Sequence, residues 1–422
     1  MMTVVVILFF LLMLIGIPLF AGMGLASYIY LNVRNFVPIL IQNSFDSLNS
    51  YSLLAVPFFM FTGLLMNSGE TTDRIVDMCD KLIGHIYGGL GHVNILVSMI
   101  LAGVSGSAIA DTAGVGAAMI PSMKKAGYSP AYSAVVTAVS STIGPVIPPS
   151  IHMVVYASIA QCSTGKLFLA GVVPGVLMGV YQIIVNYFYC KKRNIGGHAP
   201  ATFKEITHSI YRALPCLSIP FIIIGGILSG FCTATEAAIM STAAALIIEI
   251  VIFHSVNLKR IFADIRSTAI NSSVVFIMTG AAAALAWIMT IENVQNSMVN
   301  FFLSISHETW AIMLFINIIL LILGMFISPM IIIMFTVPTF LPLVTSFGVD
   351  PIHFGIIVVL NVMIGFVTPP VGFTMMAACS IAECKVSDFM KDVWIYYIPL
   401  VLNLIFVIMC PDIVLFLPNL IS

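Results

Sequence analysis

Gly103-Val-Ser-Gly-Ser-Ala-Ile-Ala-Asp111 opens, and Ile143-Gly-Pro-Val-Ile-Pro-Pro-Ser150 closes, the stretch whose reading decides the fold. The first segment is an island of hydroxyls, glycines and one carboxylate inside apolar sequence. The second ends on paired prolines, which remove backbone donors and clash with the preceding turn, so the carbonyls from Gly144 to Ile147 lose their helical partners. In lipid such groups must be satisfied elsewhere. Irregular backbone at membrane depth is tolerated only where it is buried in protein or lines a cavity, and broken helices of this kind hold ions and substrates in secondary carriers. The stretch therefore reads as a binding site.

The same frame occurs twice. A shift of 221 positions aligns Gly103 with Gly324, Ser107 with Ser328, Pro121 with Pro342, Gly127 with Gly348, Pro130 with Pro351, Gly144 with Gly365 and Pro148-Pro149 with Pro369-Pro370. Seven of the eleven Gly and Pro residues in 103–149 are matched in kind, which a chain holding 30 Gly and 21 Pro in 422 residues would not give by chance. Thr62-Gly63 pairs with Thr279-Gly280 at the slightly smaller offset of 217, extending the duplication upstream.

Composition sets the solvent. The chain is 60% hydrophobic and 8% charged, with a mean hydropathy of +1.12, whereas charged residues make up about a quarter of soluble domains. This excludes a soluble globular domain and implies an all-α polytopic membrane protein. The net charge of -1 points to no partner, and the one basic run, Lys191-Lys192-Arg193, flanks an apolar segment where it sets topology rather than binding nucleic acid. Eight scattered cysteines include no C-x-x-C pair, the eight histidines show no metal spacing, and Gly165-Lys166 lacks the rest of a phosphate-binding loop. No cofactor is expected, and His152 and His353 read as packed or interfacial. The apolar run from Val4 to about Leu31 is too long for a signal-peptide core and reads as a retained first helix.

Spanning helices, which need about 20 apolar residues, are expected at 3–31, 51–68, 131–160, 167–189, 213–231, 234–253, 268–291, 354–381 and 394–417. The segments 92–122 and 309–342, interrupted at Ser105-Gly106-Ser107 and Ser328-Pro329, read as re-entrant hairpins. With the N-terminus cytoplasmic and the C-terminus periplasmic, this arrangement puts fourteen of the sixteen Lys and Arg residues inside, leaving only Arg34 and Lys166 outside. The two hairpins then open to opposite faces, giving inverted repeats. The expected organisation is 1–69 N-terminal spans, 70–90 an interfacial amphipathic helix with an apolar stripe, 91–189 the first repeat core, 190–267 a linker and central helix pair, and 268–422 the second repeat.

Ser105, Gly106, Ser107 and Asp111 are the candidate substrate contacts at the first hairpin tip, where the positive end of a half-helix and its hydroxyls suit an anion. The competing explanation for the small residues is close helix packing. A lone carboxylate at membrane depth is functional by default. Ser328 and Pro329 occupy the corresponding second tip, facing Gly365-Phe-Val-Thr368-Pro-Pro370. Hydroxyls and freed carbonyls suit Na⁺ better than proton coupling. Glu236, in Thr233-Ala-Thr-Glu-Ala, is accounted for equally well by a helix N-terminus. One enzymatic alternative, an intramembrane serine protease using Ser105 with His152 as base, is opposed by the duplicate, which has Phe326 and Phe373 at those places.

Leu90-Gly-His-Val, Gly103-Val-Ser-Gly-Ser-Ala-Ile-Ala-Asp111-Thr-Ala, Ile147-Pro-Pro-Ser-Ile151, Thr235-Glu-Ala237, Gly324-Met325 and Ile364-Gly-Phe-Val-Thr-Pro-Pro-Val-Gly372 resemble the large membrane subunit of tripartite ATP-independent periplasmic (TRAP) transporters over essentially the whole chain. The resemblance implies an elevator fold of the wider ion-transporter superfamily and Na⁺-driven import across the bacterial inner membrane. The implied cargo is a C4-dicarboxylate, sialic acid or another sugar acid. It also implies a small four-helix membrane subunit and a periplasmic substrate-binding protein as partners. One Na⁺ is expected near Ser105, Gly144, Ile147 and Pro148, and another near Gly324, Gly365, Thr368 and Pro370. Many relatives carry an Asp where Ser328 stands. A carrier that works without the other subunits is the alternative.

Overall fold

Ser107 and Ser328 each stop one helix and start the next, and the rest of the architecture is arranged around these two turns. The computed structural model describes residues 15–294, 297–300 and 308–420, together with Val5, Leu8, Phe9, Leu11 and Leu12, and all regular structure among them is helical. At the first turn α5 (Gly89–Ser105) meets α6 (Ala108–Lys125), and at the second α13 (Thr309–Phe326) meets α14 (Pro329–Ser346). Gly106 makes the first reversal at φ +57°, and a Cβ there would meet the Pro149 carbonyl at 2.6 Å, so glycine is required. The second tip instead passes through extended Ile327 (φ -121°) into Pro329 at the first helical position.

The arms of 17 and 18 residues are longer than their sequence suggests. At 1.5 Å per residue each is about 26 Å long, close to the ~30 Å of hydrocarbon. What makes them hairpins is the reversal at the tip, after which each second arm packs back on its first.

The broken helices follow. α7 (Pro130–Ser140) runs through a 3₁₀ turn at Ser141–Ile143 into irregular chain, and α8 (Ile151–Ala160) restarts with the Ser150 hydroxyl accepting the Met153 N–H at 3.3 Å. α15 (Pro351–Val367) stops before Pro369-Pro370, and α16 (Phe373–Ala382) restarts after Gly372 at φ +51°. The two repeats interlock. Each hairpin's first arm lies on the broken helix of its own repeat (α5 on α7, α13 on α15), while α6 packs on α16 and α14 on α8.

Around this core run α9 (Thr164–Lys192), α10 (Phe203–Leu228), α11 (Ala234–Leu246, continuing in π turns to Ile252), α12 (Leu258–Ile291) and α17 (Val386–Met409). α18 (Pro411–Asn419) closes the described chain against α9. Nearer the start come α1 (Leu19–Val33), α2 (Val37–Leu48), α3 (Ala55–Ser68) and α4 (Thr71–Ile83). The outward faces of α9, α10 and α12 carry exposed Phe188, Phe221 and Ile277, as lipid-facing helices do.

Several elements differ from the sequence reading, among them the expected span 394–417, which is broken at Cys410-Pro411 into α17 and α18. The expected first span, 3–31, is interrupted at Gly16-Ile-Pro18, where proline restarts the helix as α1; most of residues 1–14 lie outside the described residues. α2 went unread because Gln42, Asn43, Ser44, Asp46 and Ser47 dilute its apolar content. It forms a 59° bend with the segment Tyr51–Asn67 and is held by α12, with Ser44 Oγ donating to the Gly280 carbonyl at 3.0 Å. The apolar stripe of α4 (Ile75, Met78, Cys79) is buried against α5 and α10 rather than left for a bilayer surface.

Candidate functional site

Both hairpin tips border one cavity of about 440 Å³, within the range of small-molecule sites. Ser105 and Ser107 come from the first tip, Ser328 and Pro329 from the second, Gly63 and Leu64 from α3, and Asn271 and Met278 from α12. No Lys, Arg, Asp or Glu lines it. A carboxylate in this cavity would be met by neutral donors: hydroxyls, the Asn271 amide, and the N–H groups of Ala108, Ile109 and Met330 at the starts of α6 and α14, residues that line it.

The approach of α3 depends on one glycine. A Cβ on Gly63 would stand 2.9 Å from the Ser105 Cα, so any side chain would push the hairpin off α3.

Behind this wall lies the charged part of the site. Gly106 and Asp111, expected beside the substrate, are buried and do not line the cavity. Asp111 is 0% exposed; its Oδ1 accepts the Ser105 hydroxyl, and its Oδ2 has no partner. Oδ2 points to the spot where Gly144 would carry a Cβ, so glycine at 144 is what lets the carboxylate reach the break in α7. An ionised carboxylate buried with an orphan oxygen costs several kcal/mol unless a cation or proton joins it. Ser105, Asp111 and Gly144 thus make an oxygen cluster that calls for a positive charge.

Around the break, no backbone N–H is bonded to the carbonyls of Gly144, Pro145, Val146 or Ile147 among the described residues. Val146 O faces Gly171 on α9, and the Ile147 side chain fills the space over Gly175. Pro148 O and Pro149 O face the hairpin at Gly103 and Gly106.

The corresponding positions of the second repeat are arranged differently. Gly324 and Gly365 pack backbone to backbone, a Cβ on Gly365 falling 2.6 Å from the Gly324 Cα. The Gly365 carbonyl is taken by the Thr368 N–H at 2.9 Å, and the Thr368 hydroxyl donates to Ile364 O at 2.6 Å and is also in contact with the Tyr397 hydroxyl. Pro370 is exposed and Thr368 half-buried, whereas the whole first break is buried. The second tip is tied to its break by the Val371 N–H donating to Met325 O at 3.3 Å.

His152 was not expected among the substrate contacts. Read as a packed or interfacial ring, it is packed against the Gly106 backbone, to which it is hydrogen-bonded, and it also lines the cavity, with Nδ1 unpartnered. Its position two residues after the Ser150 cap, with phenylalanine at the duplicate place, was the available signal. His353 is buried as expected and bonded to Val407 O at 2.7 Å. The protease arrangement is not assembled, because Ser105 gives its proton to Asp111. Glu236 lies outside the site and closes a reciprocal cap with Thr233.

Proteins of similar sequence are named as transporter permeases. A sialic acid TRAP transporter large permease protein of Vibrio cholerae is 36% identical over 410 residues, covering 95% of this chain and 96% of that protein. The 2,3-diketo-L-gulonate TRAP transporter large permease protein of Escherichia coli is 33% identical over 404 residues, 95% of each. A C4-dicarboxylate TRAP transporter large permease protein of Pseudomonas aeruginosa is 34% identical over 375 residues, 89% of this chain and 88% of that one. Among solved structures, the Alcanivorax borkumensis YdaH transporter shares the fold, with a TM-score of 0.68 at 11% identity over 92% of this chain and 88% of that chain. The family model for the tripartite ATP-independent periplasmic transporter DctM component matches residues 6–413, and the chain belongs to that family: it is a multi-pass TRAP transporter large permease, not an enzyme.

Proposed function

We propose that this permease imports a small organic anion across the inner membrane, driven by Na⁺, with no cofactor beyond the coupling ion. The observation that carries the reading is the pairing of two adjacent features: a neutral cavity bordered by both hairpin tips, and behind it a buried carboxylate with one oxygen unpartnered and no salt bridge among the described residues. Ser105 belongs to both, its hydroxyl bound to Asp111 while the residue lines the cavity. Occupation of the Asp111 cluster by Na⁺ would fix Ser105 and the hairpin turn, so that ion and anion binding reinforce each other through one side chain. In this reading Ser105, Asp111 and Gly144, with carbonyls near Ile147 and Pro148, hold the first Na⁺. Gly324, Gly365, Thr368 and Pro370 border a second. Ser107, His152, Asn271, Ser328 and Pro329 receive the anion.

The relatives' names span sialic acid, 2,3-diketo-L-gulonate, isethionate and C4-dicarboxylates. All are organic acids, which suits a cavity that supplies donors without a fixed cation. The proposed assembly has a small four-helix membrane subunit and a periplasmic binding protein as partners, an inside N-terminus and an outside C-terminus.

Liposomes test this. With the small subunit and the cognate binding protein present, an inward Na⁺ gradient drives uptake and a K⁺ gradient does not. Equal uptake in either gradient overturns Na⁺ coupling. Uptake by the chain alone establishes the stand-alone carrier instead.

A further inference from the structure

A second cleft of about 420 Å³ lies between the N-termini of α9 and α11 and shares no lining residue with the central cavity. The two helices that open onto it begin in opposite ways. In α11 the Thr233 hydroxyl accepts the Glu236 N–H at 3.3 Å, and the Glu236 carboxylate accepts the Thr233 N–H at 2.8 Å, which places an anion on the positive end of the helix. In α9 Ser163 Oγ accepts the Lys166 N–H at 3.3 Å, but the place that holds Glu236 in α11 is taken by lysine, and the first turn contains no acid. A cation there adds to the helix's own positive end instead of offsetting it.

Two further observations show that the donors at this end are not satisfied by the chain itself. Thr164, 6% exposed, lines the cleft with its Oγ1 unpartnered, a costly state for a buried hydroxyl. Among the described residues no carboxylate pairs with the Lys166 ammonium. The nearby acids are committed elsewhere, Glu236 to its own cap and Asp350 to the amides of Ile352 and His353, and neither lines the cleft. α9 is 29 residues, about 43 Å, long, so the cleft lies a membrane thickness from Lys191 and Lys192 at its other end.

We propose that this cleft is a carboxylate-binding site separate from the transport cavity, with the Lys166 ammonium, the Thr164 hydroxyl and the Thr164 and Gly165 N–H groups at the start of α9 as its ligands. A carboxylate is acceptor-only and matches a set composed of donors. The source is either a free organic acid or an acidic side chain of a docked protein. The organic-anion reading above bears on that source and not on the site.

The experiment measures amine-reactive acylation of Lys166 in the purified full-length chain by peptide mass spectrometry, at fixed Na⁺ and ionic strength, with Lys191 and Lys192 as internal references. Succinate slows Lys166 acylation by about tenfold relative to chloride, leaves the references unchanged, and protects the T164V variant less. Protection by an acetylated triglutamate peptide, but not by triglutamine or succinate, assigns the carboxylate to a protein side chain. Protection by neither, equal protection in T164V, or equal protection by chloride overturns the site. In a parallel thermal-shift series K166Q retains the melting temperature of the unliganded chain and loses the succinate-dependent rise; a rise that persists in K166Q also overturns it. No arm measures transport, so failure here leaves the transport reading standing.

Discussion

The two hairpin regions share a frame and differ in what fills it. At matched positions the first repeat has Ser105, Asp111 and His152, and the second has Phe326, Ile332 and Phe373. Where the first repeat spaces its hairpin from its broken helix with a carboxylate directed at Gly144, the second closes the gap by direct contact of Gly324 with Gly365. Polar pairs also brace the first repeat, Ser98 with Ser140 at 2.9 Å and Asn94 with Thr137 at 2.7 Å, while the second relies on Asn317 with Asn361 at 2.7 Å. Glycine and proline positions set the backbone path twice. The electrostatic work is concentrated in one copy, which is how a duplicated fold acquires an asymmetric site.

The largest effect is expected from breaking the second contact. Gly365→Ala drives a Cβ into backbone, which cannot yield as a flexible side chain does. Overpacking of this kind costs about 1–3 kcal/mol. The folded yield and melting temperature in detergent fall and uptake is lost. Gly225→Ala, in open space on α10, leaves both unchanged. Equal tolerance of the two substitutions would dissolve the distinction between packing in one repeat and chemistry in the other.

Asp111→Asn comes next, and it removes charge without removing volume. The concentration of Na⁺ for half-maximal uptake rises by about tenfold or more, while the melting temperature measured without Na⁺ stays level or rises, since a buried unpaired charge is gone. An unchanged Na⁺ dependence would remove the ion from the first repeat.

A smaller change converts one repeat toward the other. His152→Phe places in the first repeat the residue found at the matched place in the second. It raises the KM for the anion by about three- to tenfold with the Na⁺ dependence intact. Loss of Na⁺ dependence in parallel would move His152 from the anion's surroundings to the ion's.

Much of this was legible before any coordinates. The 221-residue shift exposed the hairpins and breaks because glycine and proline constrain backbone wherever they fall, independently of partners. Asp111 stood out as a lone carboxylate at membrane depth, but its bond to the Ser105 hydroxyl could not be read from the sequence. Its direction was not legible: whether a side chain on the first turn of α6 looks into the cavity or back at Gly144 is decided by how hairpin and broken helix pack. α2 was hidden for the opposite reason, because its polar residues are spent on α12, as Ser44 on Gly280 shows. His152 was discounted because a single histidine carries no pattern.

The smallest effect concerns the join between the repeats. The linker after α9 folds back on α4 of the first half, with the Gly88 N–H donating to Ile195 O at 2.9 Å and His198 Nε2 standing 2.7 Å from Asp80 Oδ1. Hydrogen bonding to the Ala199 carbonyl, and then to Asp80, raises the His198 pKa above its ordinary 6.5. A raised value in the folded state means that the tie is fully present below the unfolded pKa and is lost as pH climbs through the folded one. Both side chains are partly exposed, so solvent screens the pair and its contribution is small. Between about pH 6 and about pH 8, limited proteolysis of the 193–202 linker accelerates, and His198→Gln abolishes the pH dependence. Transport at fixed Na⁺ changes little, because neither residue touches the cavity. A large pH-dependent loss of uptake traced to His198 would show instead that the linker couples the repeats during transport, and the asymmetry between them would then have to include the segment that joins them.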